Sequence, residues 1–145
     1  MHATLEKFGY GPGTVFEDEH WAVVVRPAQP TLGSMVLIAK RDIESFGALT
    51  AEEGAALPAM VARIEAALAR VVTPERVNYL MLMMVDRHVH YHVVPRYAEP
   101  RNWGNHEFID TGWPSVPALS PAVALDPAEI AQLRADLANG TTRGG

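Results

Sequence analysis

Three of the six histidines in the chain lie within five residues, in the segment HVHYH at positions 88–92. If this segment is a β-strand, successive side chains alternate between its two faces, so His88, His90 and His92 share one face. Neighbouring imidazoles would then lie roughly 7 Å apart, because each strand residue advances the chain by about 3.3 Å. The apolar residues between them anchor the other face in a hydrophobic core. Such a row of imidazoles could bind an anion, hold a metal or carry out catalysis.

Three interpretations of this row of imidazoles are open. In the first, the histidines lie on a solvent-exposed face and have no chemical role. In the second, they bind a transition metal, since neutral imidazole is a good ligand and a catalytic zinc site needs only three protein ligands. The nearest downstream carboxylate, Glu99, lies beyond Pro95. In the third, one histidine attacks phosphorus, while its neighbours donate to phosphate oxygens and to the leaving group.

The composition excludes several classes of protein. The chain of 145 residues is 48% hydrophobic, which suits one domain with a substantial core. It has no cysteine, which rules out a disulfide scaffold, a cysteine zinc site and a cysteine nucleophile. A net charge of −5 disfavours nucleic acid and anionic membranes as partners. No segment has the pattern of a signal peptide or a membrane span, so a soluble cytoplasmic protein is expected.

The segments around the histidines show strand and helix patterns in turn. Strands are predicted where β-branched and large apolar residues cluster between turn residues, at 14–17, 20–26, 33–40, 77–86 and 88–95. A capping box formed by Thr50 and Glu53 precedes apolar residues at helical spacing and predicts one long helix. Asp126, Pro127 and Glu129 predict the start of a C-terminal helix. The sequence therefore predicts an α+β domain with a mostly antiparallel sheet.

We expect a single domain over residues 1–145. Residues 1–13, with three glycines and a proline, predict an N-terminal arm or loop. The proline-rich residues 98–125 predict irregular chain, and NGTTRGG at 139–145 predicts a flexible tail. The histidines outside the row are isolated in sequence and are interpreted as surface or structural residues: His2, His20 and His106.

The segment HVHYHVV at 88–94 resembles the pattern of the histidine triad (HIT) family, in which three histidines alternate with apolar residues and two apolar residues follow. The earlier segment VVVRPAQPTLGSMVLIAKRDIESFGALTAEE is similar to that family's first part: a strand, a proline-rich turn, a glycine-led strand, basic residues and the long helix. The segment HVVPRY resembles the ending found in the dinucleoside polyphosphate hydrolase (fragile histidine triad-like) branch. The resemblance extends over residues 14–97.

The resemblance implies a HIT-like fold, a nucleotide substrate and a role for each histidine of the row. His90 would attack the α-phosphate of a dinucleoside polyphosphate such as diadenosine tetraphosphate, or of another nucleotidyl conjugate. The nucleotidyl-histidine intermediate would then be hydrolysed by water or passed to an acceptor. His92 would donate to the phosphate, and His88 would orient the site through its hydrogen bonds. The resemblance also implies a homodimer, a base pocket lined in part by residues 15–25, and a reaction without a metal or other cofactor.

Two alternatives of other classes remain open beside this enzyme: a nucleotide-binding module with little turnover, and a metal-binding protein that uses the three histidines. The sequence departs from the family pattern near the triad. Many members have a histidine where this chain has Ser34, which could still hydrogen-bond His88. Members often carry a Gly-Gln-Ser/Thr segment where this chain has MMVDR at 83–87. The candidates for binding the substrate are therefore Ser34, Lys40, Arg87 and Arg96.

Overall fold

The computed structural model describes residues 2–139. The elements of this part of the chain are, in order, α1 (Ala3–Lys7), β1 (Thr14–Glu17), β2 (Trp21–Val25), β3 (Ala28–Gln29), β4 (Met35–Ala39), α2 (Ala51–Val71), β5 (Arg76–Leu80), β6 (His90–Arg96), β7 (Arg101–Trp103), β8 (His106–Phe108), β9 (Val123–Ala124) and α3 (Pro127–Ala138). The predicted α+β class, with one long helix and a C-terminal helix, is confirmed.

The main sheet has five strands in the order β1-β2-β4-β6-β5, and every neighbouring pair is antiparallel. Residues directly opposite each other in such pairs point to the same face of the sheet. The register aligns each of the two strand histidines with one residue of β4 and one of β2. We call the face that carries these aligned side chains the triad face: Ala22, Val24, Val36, Ile38, His90 and His92.

The opposite face of the sheet packs against α2 and α3 and forms the main core. Alternate strand residues such as Val23, Leu37 and Val93 are fully buried there, against helix residues such as Ile64 and Leu133. Burying each of these side chains stabilises the fold by about 1.5–3 kcal/mol relative to leaving it exposed. The core therefore fixes the sheet, and the sheet in turn fixes the positions of the triad face.

The caps that the sequence predicts for the two long helices are present. Thr50 and Glu53 form a capping box at the start of α2, as Asp126 and Glu129 do at the start of α3. Hydrogen bonds from Arg41 lower the pKa of Glu53 to about 2, so this carboxylate stays charged through ordinary pH. No helix within residues 2–139 is long and apolar enough to cross a bilayer.

A tight turn before β4 sets the start of that strand. Gly33 has a φ of +88°, in the left-handed region, and a Cβ there would lie 2.8 Å from Leu68 Cδ2. Only glycine fits both conditions. The fully buried Gln29 side chain accepts hydrogen bonds from Gly33 N at 2.8 Å and Ser34 N at 3.1 Å. The turn is thereby held as a rigid unit beside the triad face.

Four predicted segments differ from the observed ones. The strand predicted at 77–86 ends at Leu80, because the following apolar run does not alternate and Met83 adopts a φ of +51°. The strand predicted at 88–95 begins at His90, so His88 lies just before it. The predicted N-terminal arm contains α1, and the proline-rich segment contains the β7–β8 hairpin and β9. The predicted tail, apart from Asn139, lies outside the described residues.

Candidate active site

His90 is held in one tautomer by the backbone. Its Nδ1 atom lies 2.6 Å from the carbonyl oxygen of His88. A carbonyl oxygen can only accept, so Nδ1 carries a proton, and in the neutral ring the lone pair is therefore on Nε2. The side chain is almost fully buried, yet it lines a cavity of about 160 Å³ together with His92. The neutral His90 ring would therefore have Nε2 as its nucleophilic nitrogen in the site.

His88 supports this arrangement through a contact with the last residue of β4. Its Nε2 donates to the carbonyl oxygen of Ala39 at 2.7 Å, which fixes the ring. Its Nδ1 lies 3.5 Å from a carboxylate oxygen of Asp42, but the alignment is too poor for a hydrogen bond. His88 thus holds the backbone carbonyl that orients His90, and it does so from outside strand β6.

His92 is kept uncharged by its surroundings. Burial lowers the pKa of His92 to about 4, with further lowering by the nearby His90 and Arg26 and a smaller opposing effect of Asp86. The rings of His90 and His92 lie 5.0 Å apart in an edge-to-face arrangement. At neutral pH His92 therefore has one N–H group to donate to a ligand, and the other ring nitrogen accepts.

Helix α1 folds back over the triad. The ring of His2 lies 3.8 Å from that of His88, and His2 Nε2 donates to the same Ala39 oxygen at 3.0 Å. The ring of Phe8 lies 5.6 Å from His90 and 6.2 Å from His92. Nothing in the spacing of His2 indicates this contact, because it depends on how the arm packs. His2 is a structural residue of the site itself.

The apolar part of the triad face lies beneath this helix. Leu5 is buried against a small cluster on β2 and β4, and Phe8 and Tyr10 pack beside it. The cluster consists of Ala22, Val24, Val36 and Ile38. Of residues 15–25, which the resemblance assigns to a base pocket, only Ala22 and Val24 face this side within β2. The alternate residues of that strand lie in the main core.

The loop from residue 81 to residue 89 forms the other side of the cavity. It lines the cavity with residues 82–86 and exposes the side chains of Leu82, Met84 and Val85. The carboxylate of Asp86 accepts two hydrogen bonds from Lys7, at 2.7 and 2.9 Å. This ion pair joins the loop to α1 across the mouth of the cavity.

The structure gives Ser34 and Arg96 other partners than the predicted ones. The Ser34 hydroxyl donates to the carbonyl of Thr31 at 2.8 Å inside the turn, so the suggested bond to His88 is absent. The buried Arg96 guanidinium donates to Asp110 at 2.7 Å and to Asn78 at 2.7 Å. Both side chains hold the fold together, and neither reaches the triad.

Lys40 and Arg87 lie on the surface near the site. Lys40 Nζ donates to Glu17 Oε1 at 2.5 Å, so the charge of Lys40 is already paired. Arg87 is exposed, 3.9 Å from a Glu44 oxygen, and is not among the residues that line the cavity. Asp86, its neighbour, lines the cavity instead. The four candidate residues are therefore not brought together around the triad.

Unsatisfied polar atoms gather at the triad. Within residues 2–139, four buried side-chain nitrogens have no hydrogen-bond partner, and three belong to Arg26, His88 and His92. Buried polar groups are normally paired, so such a cluster indicates a place for a ligand. Arg26 was not a candidate from sequence; its alternation with Ala22 and Val24 is the signal that could have found it. No three or more of the histidines, aspartates and glutamates in these residues are placed to hold a metal ion.

Comparison with known proteins gives consistent matches to one family. The HIT domain family matches residues 12–99 of this chain. A HIT protein from Sinorhizobium meliloti is similar in structure, with a TM-score of 0.73 and 21% identity over 97% of this chain and 96% of its own. A protein described as a hypothetical histidine triad nucleotide-binding protein from Sulfolobus tokodaii has a TM-score of 0.66 and 17% identity, covering 88% and 81%. No curated protein matches the sequence.

A third similar structure is a zinc-bound histidine triad family protein from Mycobacterium smegmatis. Its TM-score is 0.59 and its identity 25%, over 90% of this chain and 87% of its own. The family match covers well over half of the chain, and it includes the whole of β6 and all three histidines. On this evidence the protein belongs to the HIT domain family.

Proposed function

We propose that the protein is a nucleotide hydrolase or nucleotidyl transferase that acts at an α-phosphate through a covalent nucleotidyl-His90 intermediate. The observation that carries this proposal is the hydrogen bond from His90 Nδ1 to the His88 carbonyl, which fixes the tautomer whose free lone pair is on Nε2. A neutral imidazole nitrogen in a buried cavity is a suitable nucleophile for phosphorus at pH 7. No base is needed to activate it.

The reaction has two steps. In the first, the Nε2 lone pair of His90 forms a bond to the α-phosphorus while the bond from phosphorus to the leaving group breaks. The leaving group departs with a proton that the neutral His92 ring gives from one nitrogen while its other nitrogen takes up a proton from solvent water. In the second step, water cleaves the phosphorus–nitrogen bond, which releases the nucleoside monophosphate and restores His90. Transfer differs only in that another acceptor replaces water.

The atoms around His90 suit the charge that develops on the phosphate. His92 has an N–H to donate, and its buried Nδ1 has no partner among the described residues. The growing positive charge on the His90 ring is stabilised by the carbonyl that accepts from Nδ1. Donors held in place before the substrate arrives lower the barrier without reorganisation in the transition state.

We propose a dinucleoside polyphosphate or another nucleotidyl conjugate as the substrate class. The cluster of Ala22, Val24, Val36 and Ile38 lies next to the triad under Leu5 of α1, and it would offer an apolar surface for a base when α1 moves away. The description of the Sulfolobus tokodaii protein as nucleotide-binding supports a nucleotide as the ligand. We also propose a cytoplasmic homodimer, formed at the edge strand β5, which within residues 2–139 pairs with β6 alone. Sedimentation equilibrium would give twice the mass of the chain.

The zinc-bound relative supports a second candidate function, that of a metal-dependent or metal-binding protein.

One experiment separates the candidate functions. A fluorogenic adenosine phosphoramidate and diadenosine tetraphosphate should be assayed with wild type and His90→Asn, before and after dialysis against chelator. We expect turnover by wild type that survives chelation and is lost in His90→Asn. Loss on chelation with recovery on adding zinc would establish the metal function. Tight nucleotide binding without turnover would show that the protein is a nucleotide-binding module rather than an enzyme.

A further inference from the structure

We propose that Arg26 binds a second anionic group of the substrate, a phosphate on the ribose. The protein would then prefer nucleotides that carry a 2′- or 3′-phosphate in addition to the phosphate that His90 attacks. This inference rests on the proposed function of the site and adds a residue that determines its specificity.

The position of Arg26 follows from the sheet register. Val24 lies in line with Val36 and His92 across three strands. Arg26 follows two residues later, and its backbone N–H donates to Ser34 O at 3.1 Å, which continues the pairing of β2 with β4. Side chains two residues apart point the same way, so Arg26 extends the triad face beyond Val24 by about 6.6 Å.

The Arg26 guanidinium is a charge without a partner. It makes no hydrogen bond or ion pair with any residue in the described part of the chain, and its Nη1 atom is buried. Burial lowers the pKa of Arg26, and no carboxylate opposes this effect. Its positive charge helps to lower the pKa of His92, after burial and His90, which places the guanidinium near the triad. An unpaired cation with one nitrogen buried is costly, and an anion bound there would offset that cost.

The backbone that carries this side chain is rigid. The carbonyl of Arg26 accepts from Gln29 Nε2 at 2.7 Å, and the same nitrogen donates to Ser34 O at 2.8 Å. Gln29 is fully buried, and Pro27 follows Arg26 directly. Because the backbone is fixed, only the side-chain torsions must be ordered when an anion binds. This preorganisation is typical of a built binding site.

The side of the triad on which Arg26 lies identifies the part of the substrate it contacts. The loop of residues 81–89, which forms the mouth of the cavity, follows β5 on one side of β6. The apolar cluster lies on β2 and β4 on the other side of β6, and Arg26 directly follows β2. Once α1 has moved off the apolar cluster, a nucleoside whose base takes its place directs the leaving group towards the loop. The ribose joins base to α-phosphate, so an anion at Arg26 belongs to the ribose rather than to the leaving group.

Binding of reaction products tests this subsite without depending on turnover. Calorimetry should compare 5′-AMP with adenosine 2′,5′-bisphosphate and adenosine 3′,5′-bisphosphate, and the corresponding guanosine compounds, on the full chain. We expect one bisphosphate isomer to bind roughly tenfold to a hundredfold more tightly than the monophosphate, the usual range for charge-assisted hydrogen bonds. Arg26→Met should abolish this preference and leave monophosphate affinity within about twofold, while Arg26→Lys keeps part of it.

Arg63→Met is a matched control, since Arg63 stacks on the Phe16 ring at 4.5 Å and lies on α2, away from the triad face. It should keep the preference. Equal affinities of wild type for mono- and bisphosphates would overturn the proposal, as would a preference that survives in Arg26→Met. Equal weakening of every ligand in Arg26→Met would assign Arg26 to the 5′-phosphate and also overturn it. A preference without any turnover would keep this subsite and reject the proposed enzyme function instead.

Discussion

The three histidines of the row have the same type of side chain but lie in three different environments. His90 is oriented by a carbonyl that only accepts, His88 is fixed on Ala39, and His92 is held neutral by burial. The three rings thus differ in their hydrogen bonds and burial, although the spacing in the sequence is regular. Position in the strand decides which atoms each ring meets, and those atoms decide its protonation.

The lowered pKa of His92 predicts a loss of stability in mild acid. The unfolded side chain binds a proton near pH 6.5, whereas the folded one resists it until about pH 4. The contribution of His92 to the free energy of unfolding is therefore fully present above pH 6.5 and is lost as the pH drops towards 4. For this half-buried ring we expect a contribution of about 1–2 kcal/mol, after allowing for solvent screening.

His92→Gln should remove this contribution. Urea unfolding at pH 7.0 and pH 4.5 measures it, because the free energy of unfolding should fall less between the two pH values in the variant than in wild type. His20→Gln, at a partly exposed position outside the site, is the control and should behave as wild type. An equal pH dependence in His92→Gln and wild type would show that His92 is not held neutral in the folded protein.

The sequence predicts the strand that carries His90 and His92, but not the residues that surround them. The alternation of histidine with apolar residues requires only a strand, and β6 provides it for His90 and His92. His2 and Arg26 join the site through packing and through register between distant strands. Neither relation is visible in local spacing, and the predicted role of Ser34 failed because its hydroxyl turns into its own loop.

At the scale of elements, α1 and the loop of residues 81–89 together close the site. A helix of five residues is too short to be stable alone, so its contacts with the sheet and the loop must hold it. The cavity left beside the triad, about 160 Å³, is smaller than the pockets of about 300 Å³ or more that bind small molecules. A nucleotide can reach His90 only if α1 or the loop moves.

Breaking the ion pair between Lys7 and Asp86 should make that movement easier. The pair is partly exposed, so Lys7→Met should destabilise the closed form by about 0–1 kcal/mol. This corresponds to an increase of up to about fivefold in the equilibrium constant for opening. We expect His90 to react faster with diethyl pyrocarbonate in Lys7→Met, as measured by mass spectrometry of the peptide. Glu6→Gln, on the same helix, is the charge control. An unchanged rate in Lys7→Met would show that this pair does not hold the site closed.

Regular elements were predictable where local signals were strong. The capping boxes of α2 and α3 mark their first residues, and both begin where the sequence predicts. Helix α1 could not be predicted, because glycines follow it and its stability comes from tertiary contacts. The strand predicted at 77–86 was too long, since an apolar composition does not distinguish a covered strand from a loop that passes over a site.

At the scale of the whole molecule, one buried ion pair joins the sheet to the proline-rich segment. Arg96 of β6 donates to Asp110 at 2.7 Å and to Asn78 of β5, and the carboxylate also accepts from the backbone of Tyr97. Both charged side chains are almost completely buried. The pair thus fixes the irregular chain of residues 98–125 onto the domain. The single-domain organisation over the whole chain stays a prediction.

Arg96→Met should therefore destabilise the protein strongly. It leaves the Asp110 carboxylate buried without its cation, and we expect the free energy of unfolding to fall by about 3–5 kcal/mol. Urea unfolding at pH 7 measures this. The double variant Arg96→Met/Asp110→Leu should recover part of the loss, because no charge is then left unpaired. A change below about 0.5 kcal/mol, as expected for the exposed Arg87→Met, would contradict a structural role for Arg96.

The central claim is that His90 becomes covalently nucleotidylated, and trapping the adduct tests it most directly. The enzyme should be mixed with a large excess of adenylyl substrate, quenched within milliseconds and analysed by mass spectrometry. We predict an acid-labile, base-stable adenylyl adduct on the peptide that contains residues 88–96. It should be absent in His90→Asn, which should still bind nucleotide. Hydrolysis at a near wild-type rate in His90→Asn, with no adduct in wild type, would contradict the account.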